Sequence, residues 1–400
     1  MERSSMSDFV LWGTTASPYQ LKMQSMLDYG GHSWRRAPEQ LSLSKAMCVS
    51  ARLEWAKARG NVLRFGGMKK GLDEYPTVPF YSLDGKVFYY DSTRLAWHLD
   101  GFADRREHTL LPEQPALRFV AQLIDEAIDE FGLYMVHHNR WVISAATNNM
   151  GSFTARELRA PAFLVPRVAR WLARRQSQRC PYLFSVAPKG FEAGVDKAIT
   201  PPTRHGFPPT HDLLNQAWYR YLAALEKILT AQPFILGERF TLADASIYGQ
   251  FSMNLVDGQA NELMKERAPR THAWLCHIRD GGHQGGRGVV ASSTLLADLL
   301  SVIGDTFVPL MKQNDAAWKQ AVAAGETLFN ETAFHQGRAL YDGELMGYPF
   351  RHVVKTFQVS VWQDLLSAWQ TLGPSEQQQV LELLPSNMFD AFSDDGAQVA

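Results

Sequence analysis

The side chains in this 400-residue chain best suited to hold an anion stand at helix starts. Ser17 precedes Pro18, which places the serine at the N-cap and the proline at N1 of a helix, where free N–H groups and the helix dipole favour negative charge. A hydroxyl donor there suits an anion. Asp91-Ser92 marks a second helix start: its hydroxyl and backbone N–H groups can take a carboxylate, and Asp91 an ammonium. A Ser-Pro start alone is weak evidence for more than capping, and on spacing alone capping is the better account of Asp91-Ser92. Upstream, Val78-Pro79 leads into a strand.

Other clusters point less clearly to chemistry. In His137-His138-Asn139-Arg140-Trp141 the adjacent histidines point about 100° apart on a helix, so they do not chelate one ion, and packing at a helix end is the expected role. Arg167, Arg170, Arg174, Arg175 and Arg179 form a basic run, read as a helix surface pairing with Asp125, Glu126, Asp129 and Glu130. Cys48, Cys180 and Cys276 are far apart and lack zinc spacing; neither a disulfide scaffold nor a metal is expected.

Composition sets the frame. Hydrophobic residues make up 46%, charged residues 20%, and the net charge is −1. This is globular composition without the basic field that draws nucleic acid. With no apolar leader and no long apolar run, the expectation is a reduced, cytoplasmic protein with neither a nucleic-acid nor a membrane partner.

The elements that must position these groups follow from local pattern. Phe9–Trp12 reads as a buried strand, followed by a loop and a helix from Pro18, with Met23, Met26 and Leu27 on one face and Gly30-Gly31 as its stop. Leu43 to Arg59 reads as a helix. Asp84-Gly85 between Phe80–Leu83 and Lys86–Tyr90 predicts a two-residue hairpin. Beyond Glu113 helical patterns dominate, clearest over Arg118 to His138 and Leu213 to Thr230, with an insertion near 145–209. The run Gly281 to Gly288 reads as a linker or mobile loop, and 289–400 as a helical extension with helices at Leu295–Leu310, Ala316–Phe329 and Thr356–Leu372. Thr241 and Asp244 form a capping-box variant at another helix start, with Phe240 as its hydrophobic staple.

The order Ser-Pro helix start, Val-Pro, hairpin, Asp-Ser helix start, then an all-helical region resembles the glutathione transferase superfamily. The segment Pro233 to Ala245, with Phe240-Thr241-Leu242-Ala243-Asp244, independently resembles the core helix of that superfamily's helical domain. The resemblance implies an α/β thioredoxin-like domain (8–102), an all-α bundle domain (113–280) with the 145–209 insertion, and extra C-terminal helices (289–400). It also implies glutathione as co-substrate: Ser17 activates the thiol, Val78, Pro79, Asp91 and Ser92 hold the peptide, and a small apolar electrophile is attacked. A homodimer is implied as well. Glutathione-dependent lyase, isomerase or dehalogenase chemistry, and a non-catalytic glutathione-binding protein, are the alternatives. Ser17 and Pro79 stand further apart than the family pattern, so an added helix is expected around 44–71.

Overall fold

A computed structural model of the chain describes residues 9–65, 79–101 and 109–392. Val78, and with it the Val78–Pro79 bond, lies outside the described residues; among those described, the cis bond is Ala37–Pro38. β1 (Phe9–Trp12) is central to a five-stranded sheet of order β2-β1-β4-β5-β3. It runs parallel to β2 (Trp34–Ala37), with Leu11 opposite Arg36, and antiparallel to β4 (Phe80–Ser82), with Leu11 opposite Tyr81. β5 (Tyr89–Tyr90) continues the sheet to the short β3 (Leu63–Arg64). α1 (Pro18–Tyr29) and α3 (Ser92–Asp100) pack together, and α2 (Leu43–Ala58) has its own small core with Phe80 and Phe88.

The hairpin is wider than Asp84-Gly85 predicts. Tyr81 pairs with Tyr89, so the connection runs over 83–88. The side chains take the amides that a tight turn would have used: Ser82 Oγ accepts from Gly85 N–H (2.8 Å), and Asp84 Oδ1 from Lys86 and Val87 N–H (2.8 and 3.0 Å). Asx and ST turns of this kind compete with the two-residue turn.

α4 (Pro115–Ala127) continues through a π-helical stretch, Ile128–Gly132, into α5 (Leu133–His138) and a second such stretch, Asn139–Ile143. The insertion opens with a helical hairpin, α6 (Met150–Glu157) and α7 (Val165–Gln178). α8 (His211–Ala231), α9 (Leu242–Ser252), α10 (Gly258–Arg267) and α11 (Pro269–Arg279) complete the bundle. α9 is buried throughout and crosses α1 so closely that a Cβ on Gly249 would stand 2.8 Å from the Pro18 carbonyl oxygen. Glycine is needed for that approach.

The glycine-rich run is anchored. Its His283, 1% exposed, meets the Ser25 carbonyl through Nε2 (3.0 Å) and packs against Tyr29 and Phe240. One aromatic side chain inside the run overrides its linker composition.

The extension is not wholly helical. α12 (Ala297–Asp305) and α13 (Phe307–Ala323) meet at Thr306, so the break falls earlier than the pattern suggests, and Pro309 in the first turn of α13 requires no N–H partner there. The apolar stretch Thr294–Ala323 is long enough by composition to cross a membrane, but most of it is buried in this core. After α14 (Glu331–His335) comes a hairpin, β6 (Leu340–Leu345) and β7 (Tyr348–Val353). Its turn residues, Met346 and Gly347, both have positive φ (52° and 80°), the type I′ requirement. α15 (Thr356–Gln370), α16 (Pro374–Leu381) and α17 (Phe389–Phe392) then close over α4, with Trp369 and Phe392 against Phe119.

Candidate functional site

Between the sheet domain and the bundle lies a cavity of about 700 Å³. Ser17, Pro79, Asp91 and Ser92 all line it, on the sheet side. Tyr19 of α1 joins them there; Glu126, Asp129, Glu130, Tyr134 and His137 form the helical wall, α6–α7 a third side, and Lys355, Phe357 and Gln358 of the extension a fourth.

Ser17 is the N-cap residue of α1, but its side chain makes no capping hydrogen bond. The loop before it is fixed from the bundle. Glu157 of α6 accepts from Thr15 N–H (2.9 Å) and Thr15 Oγ1 (2.5 Å), and Arg140 donates to the Ala16 carbonyl (3.1 Å). Arg140 is buried, and its Nε bridges both carboxylate oxygens of Asp257 (3.0 and 2.9 Å). So Arg140, read from sequence as helix-end packing, positions the Ser17 loop. Tyr19 gives its hydroxyl to the Asp129 carbonyl (2.8 Å), and burial, then Glu130 and Asp129, holds its phenol well above the usual range.

Asp91 adopts φ 77°, a left-handed conformation that costs a non-glycine residue of the order of 1–3 kcal/mol. It is held there by two contacts: Oδ1 accepts from Arg94 N–H (3.1 Å) and Oδ2 from Arg64 Nε (2.6 Å). Arg64 and Arg94 both bond Asp364 of α15 (3.0 and 3.1 Å). Ser92 begins α3 and donates to Asp129 Oδ2 (3.4 Å). Thr241 and Asp244 stand apart from the cavity lining. Asp244 accepts from Thr241 N–H (2.9 Å), Thr241 Oγ1 (2.7 Å) and Ile235 N–H (2.8 Å), a capping box at the start of α9.

The acidic residues of α4 do not pair with the arginine run. Asp125, Glu126, Asp129 and Glu130 are all buried, and Lys22 Nζ from α1 sits 2.5 Å from Asp125 and 2.7 Å from Asp129, with Thr93 Oγ1 at 3.0 Å. Burial alone would push the Lys22 ammonium down, but the two carboxylates outweigh it and hold it above the usual lysine range. Burial, followed by the charge on Asp129, pushes Glu130 up to about 8; burial and Asp125 raise Glu126 as well. The sequence signal for this network was the spacing itself: Asp125, Glu126, Asp129 and Glu130 recur at i, i+1, i+4 and i+5 and form one acidic stripe on a helix whose residues are otherwise largely apolar.

His137 faces the cavity as a neutral imidazole, pushed down to about 3 by burial and then by Arg179. His138 bonds Ser185 Oγ (2.7 Å) instead. Among the described residues no three His, Cys, Asp or Glu side chains gather as metal ligands.

Residues 208–275 match the family model described as glutathione S-transferase, C-terminal domain. Over those residues the chain is similar to the C-terminal domain of glutathione S-transferases. With the mixed sheet before it, the architecture is a thioredoxin-like domain followed by a helical domain. The chain is similar to solved structures of a glutathione S-transferase from Pseudomonas fluorescens (15% identity over 68% of this chain and 94% of that one, TM-score 0.32). It is also similar to a beta-etherase from Sphingobium sp. (17%, 68% and 94%, TM-score 0.39). A third is a glutathione S-transferase of Ceriporiopsis subvermispora in complex with glutathione (14%, 71% and 99%, TM-score 0.40). At such TM-scores the likeness carries nothing about residue roles. No curated protein matches the chain.

Proposed function

We propose that the chain is a glutathione transferase-like enzyme: it binds glutathione across the starts of α1 and α3 and presents the thiolate to an electrophile in the remainder of the cavity. One observation carries this reading. Ser17, Pro79, Asp91 and Ser92, separated in sequence, line a single cavity of about 700 Å³, a size suited to a small ligand. In this reading Ser17 donates to the sulfur, since its hydroxyl is not spent on capping. Ser92 and the first-turn N–H groups of α3 receive the γ-glutamyl carboxylate, and Asp91 faces the ammonium while bonded to Arg64. Pro79 borders the peptide; Val78, beside it in the chain, is the proposed backbone contact. No metal enters the chemistry proposed.

The electrophile sits against Tyr134, Trp141 and Phe357, which line the cavity and suit an apolar or aromatic molecule. A specific observation favours lyase or isomerase chemistry as the second reading. Glu130, protonated near neutral pH, faces the same cavity and can deliver a proton to a leaving group. A cytoplasmic setting agrees with three free cysteines.

The test pairs glutathione titration calorimetry with turnover of a general aryl halide electrophile. Binding with turnover is the expected result. Binding without turnover leaves the non-catalytic binder, and no binding overturns the proposal. The homodimer is checked by light scattering at micromolar concentration, where a monomer mass removes it.

A further inference from the structure

The cavity leaves the outward side of the α6–α7 hairpin unexplained. Residues 150–183 carry seven arginines and a single acid, Glu157, in a chain whose net charge is −1. Glu157 is turned inward onto Thr15. In α7 the only buried residue is Ser177. Arg167, Arg170 and Arg174, spaced by three and four, share one exposed face beside Trp171, itself 56% exposed. Arg170 reaches Asp196 (2.7 Å), but that pair is solvent-exposed on both sides and worth little.

Between the two helices runs Ala160-Pro161-Ala162-Phe163-Leu164-Val165-Pro166, without a polar side chain and flanked by Arg159 and Arg167. Phe163 at its tip is 80% exposed, the highest value among the large exposed apolar residues described. Arg159 is tied to the Glu39 and Leu41 carbonyls, so the cations free to act lie on α7. Folding gains nothing from leaving Phe163 in water, and an apolar tip followed by an exposed cationic helix face is the pattern of interfacial membrane binding.

We propose that the α6–α7 hairpin docks the protein on an anionic phospholipid surface, with the 160–166 tip entering the headgroup–acyl boundary and Arg167, Arg170 and Arg174 meeting the lipid phosphates. The charge sign is complementary to an anionic leaflet. A nucleic acid fits the tip poorly, since 160–166 offers it one ring and no side-chain hydrogen bonds. The proposal replaces the sequence expectation that no membrane is involved, and it stands whatever the cavity binds. Leu158 is both exposed and part of the cavity wall, so the docked face lies beside the cavity.

The full chain is sedimented with phosphatidylcholine vesicles, with and without phosphatidylserine. Binding to the anionic vesicles that weakens with salt is expected, with little binding to the neutral ones. Each arginine near the surface contributes about fivefold, so Arg167→Gln, Arg170→Gln and Arg174→Gln together lower partitioning about 100-fold. Phe163→Ser lowers it at least about 10-fold, while Phe163→Trp retains it. Circular dichroism confirms that each variant is folded. Equal binding to both vesicle types, no binding to either, variants that partition as the parent does, or displacement from vesicles by single-stranded nucleic acid overturns the proposal.

Discussion

Ser17 stands out because its neighbours are committed elsewhere. Thr15 is bonded to Glu157 and Tyr19 to the Asp129 carbonyl, which leaves Ser17 and Thr14 as hydroxyls on that side of the cavity for a sulfur. Ser17→Ala should leave glutathione binding intact and raise the bound thiol pKa by about one to two units, the worth of a charge-assisted hydrogen bond of roughly 1.5–3 kcal/mol. kcat/KM then falls about 10–100-fold near neutral pH and recovers at higher pH. Thiolate absorbance against pH, for parent and variant, measures this; superimposable curves remove Ser17 from the mechanism. Glu130 gives a second prediction. Its folded pKa of about 8 exceeds the ordinary 4.5, so the folded state holds a proton that the unfolded chain has lost. Its contribution to stability therefore falls as pH rises from about 5 to 8, and Glu130→Gln removes that share of the slope, leaving those of Asp125 and Asp244, both raised to about 7 chiefly by burial, and stabilises the fold by roughly a few kcal/mol at pH 8. Urea unfolding across that range checks it; parallel curves for the two proteins count against a neutral Glu130.

Elements were legible in the sequence where their signals are local. The starts of α1, α3 and α9 could be read because a cap and its helix are neighbours in the chain, and the order of those starts was enough to indicate the architecture. The Asp84-Gly85 turn misled because Ser82 and Asp84 side chains took the local amides. β6–β7 was missed because its turn, Met346-Gly347, relies on a methionine at positive φ, which composition does not announce. The role of the acidic residues on α4 was illegible for another reason: their partner, Lys22, lies over a hundred residues earlier, and only packing brings it to them. Lys22→Met should cost about 3–5 kcal/mol at pH 7, because it strands two buried carboxylates, and less at pH 5, where Asp125, which burial raises to about 7, is protonated. At the start of α9, Thr241→Ala should cost about 1 kcal/mol, with Asp244 retaining its other amide bonds. Chemical denaturation at both pH values separates these outcomes, and a pH-independent loss for Lys22→Met would show that its charge is not the cause.

At the scale of the molecule, the extension is structural as well as a wall of the cavity. Its strand-like start pairs with the bundle, where Glu238 N–H reaches the Val289 carbonyl (3.0 Å), and its end covers Phe119 with Trp369 and Phe392. A chain ending at Gly288 should be poorly soluble or melt well below the full chain, since each large apolar side chain uncovered forfeits about 1.5–3 kcal/mol. Equal melting temperatures would show that the contacts are idle. Asp364 links the extension to the sheet domain through Arg64 and Arg94, at the same arginine that holds Asp91 in its strained conformation. The fourth wall of the cavity is thus covalently continuous with the other three. Whatever the chain's assembly, dilution does not take that wall away by mass action.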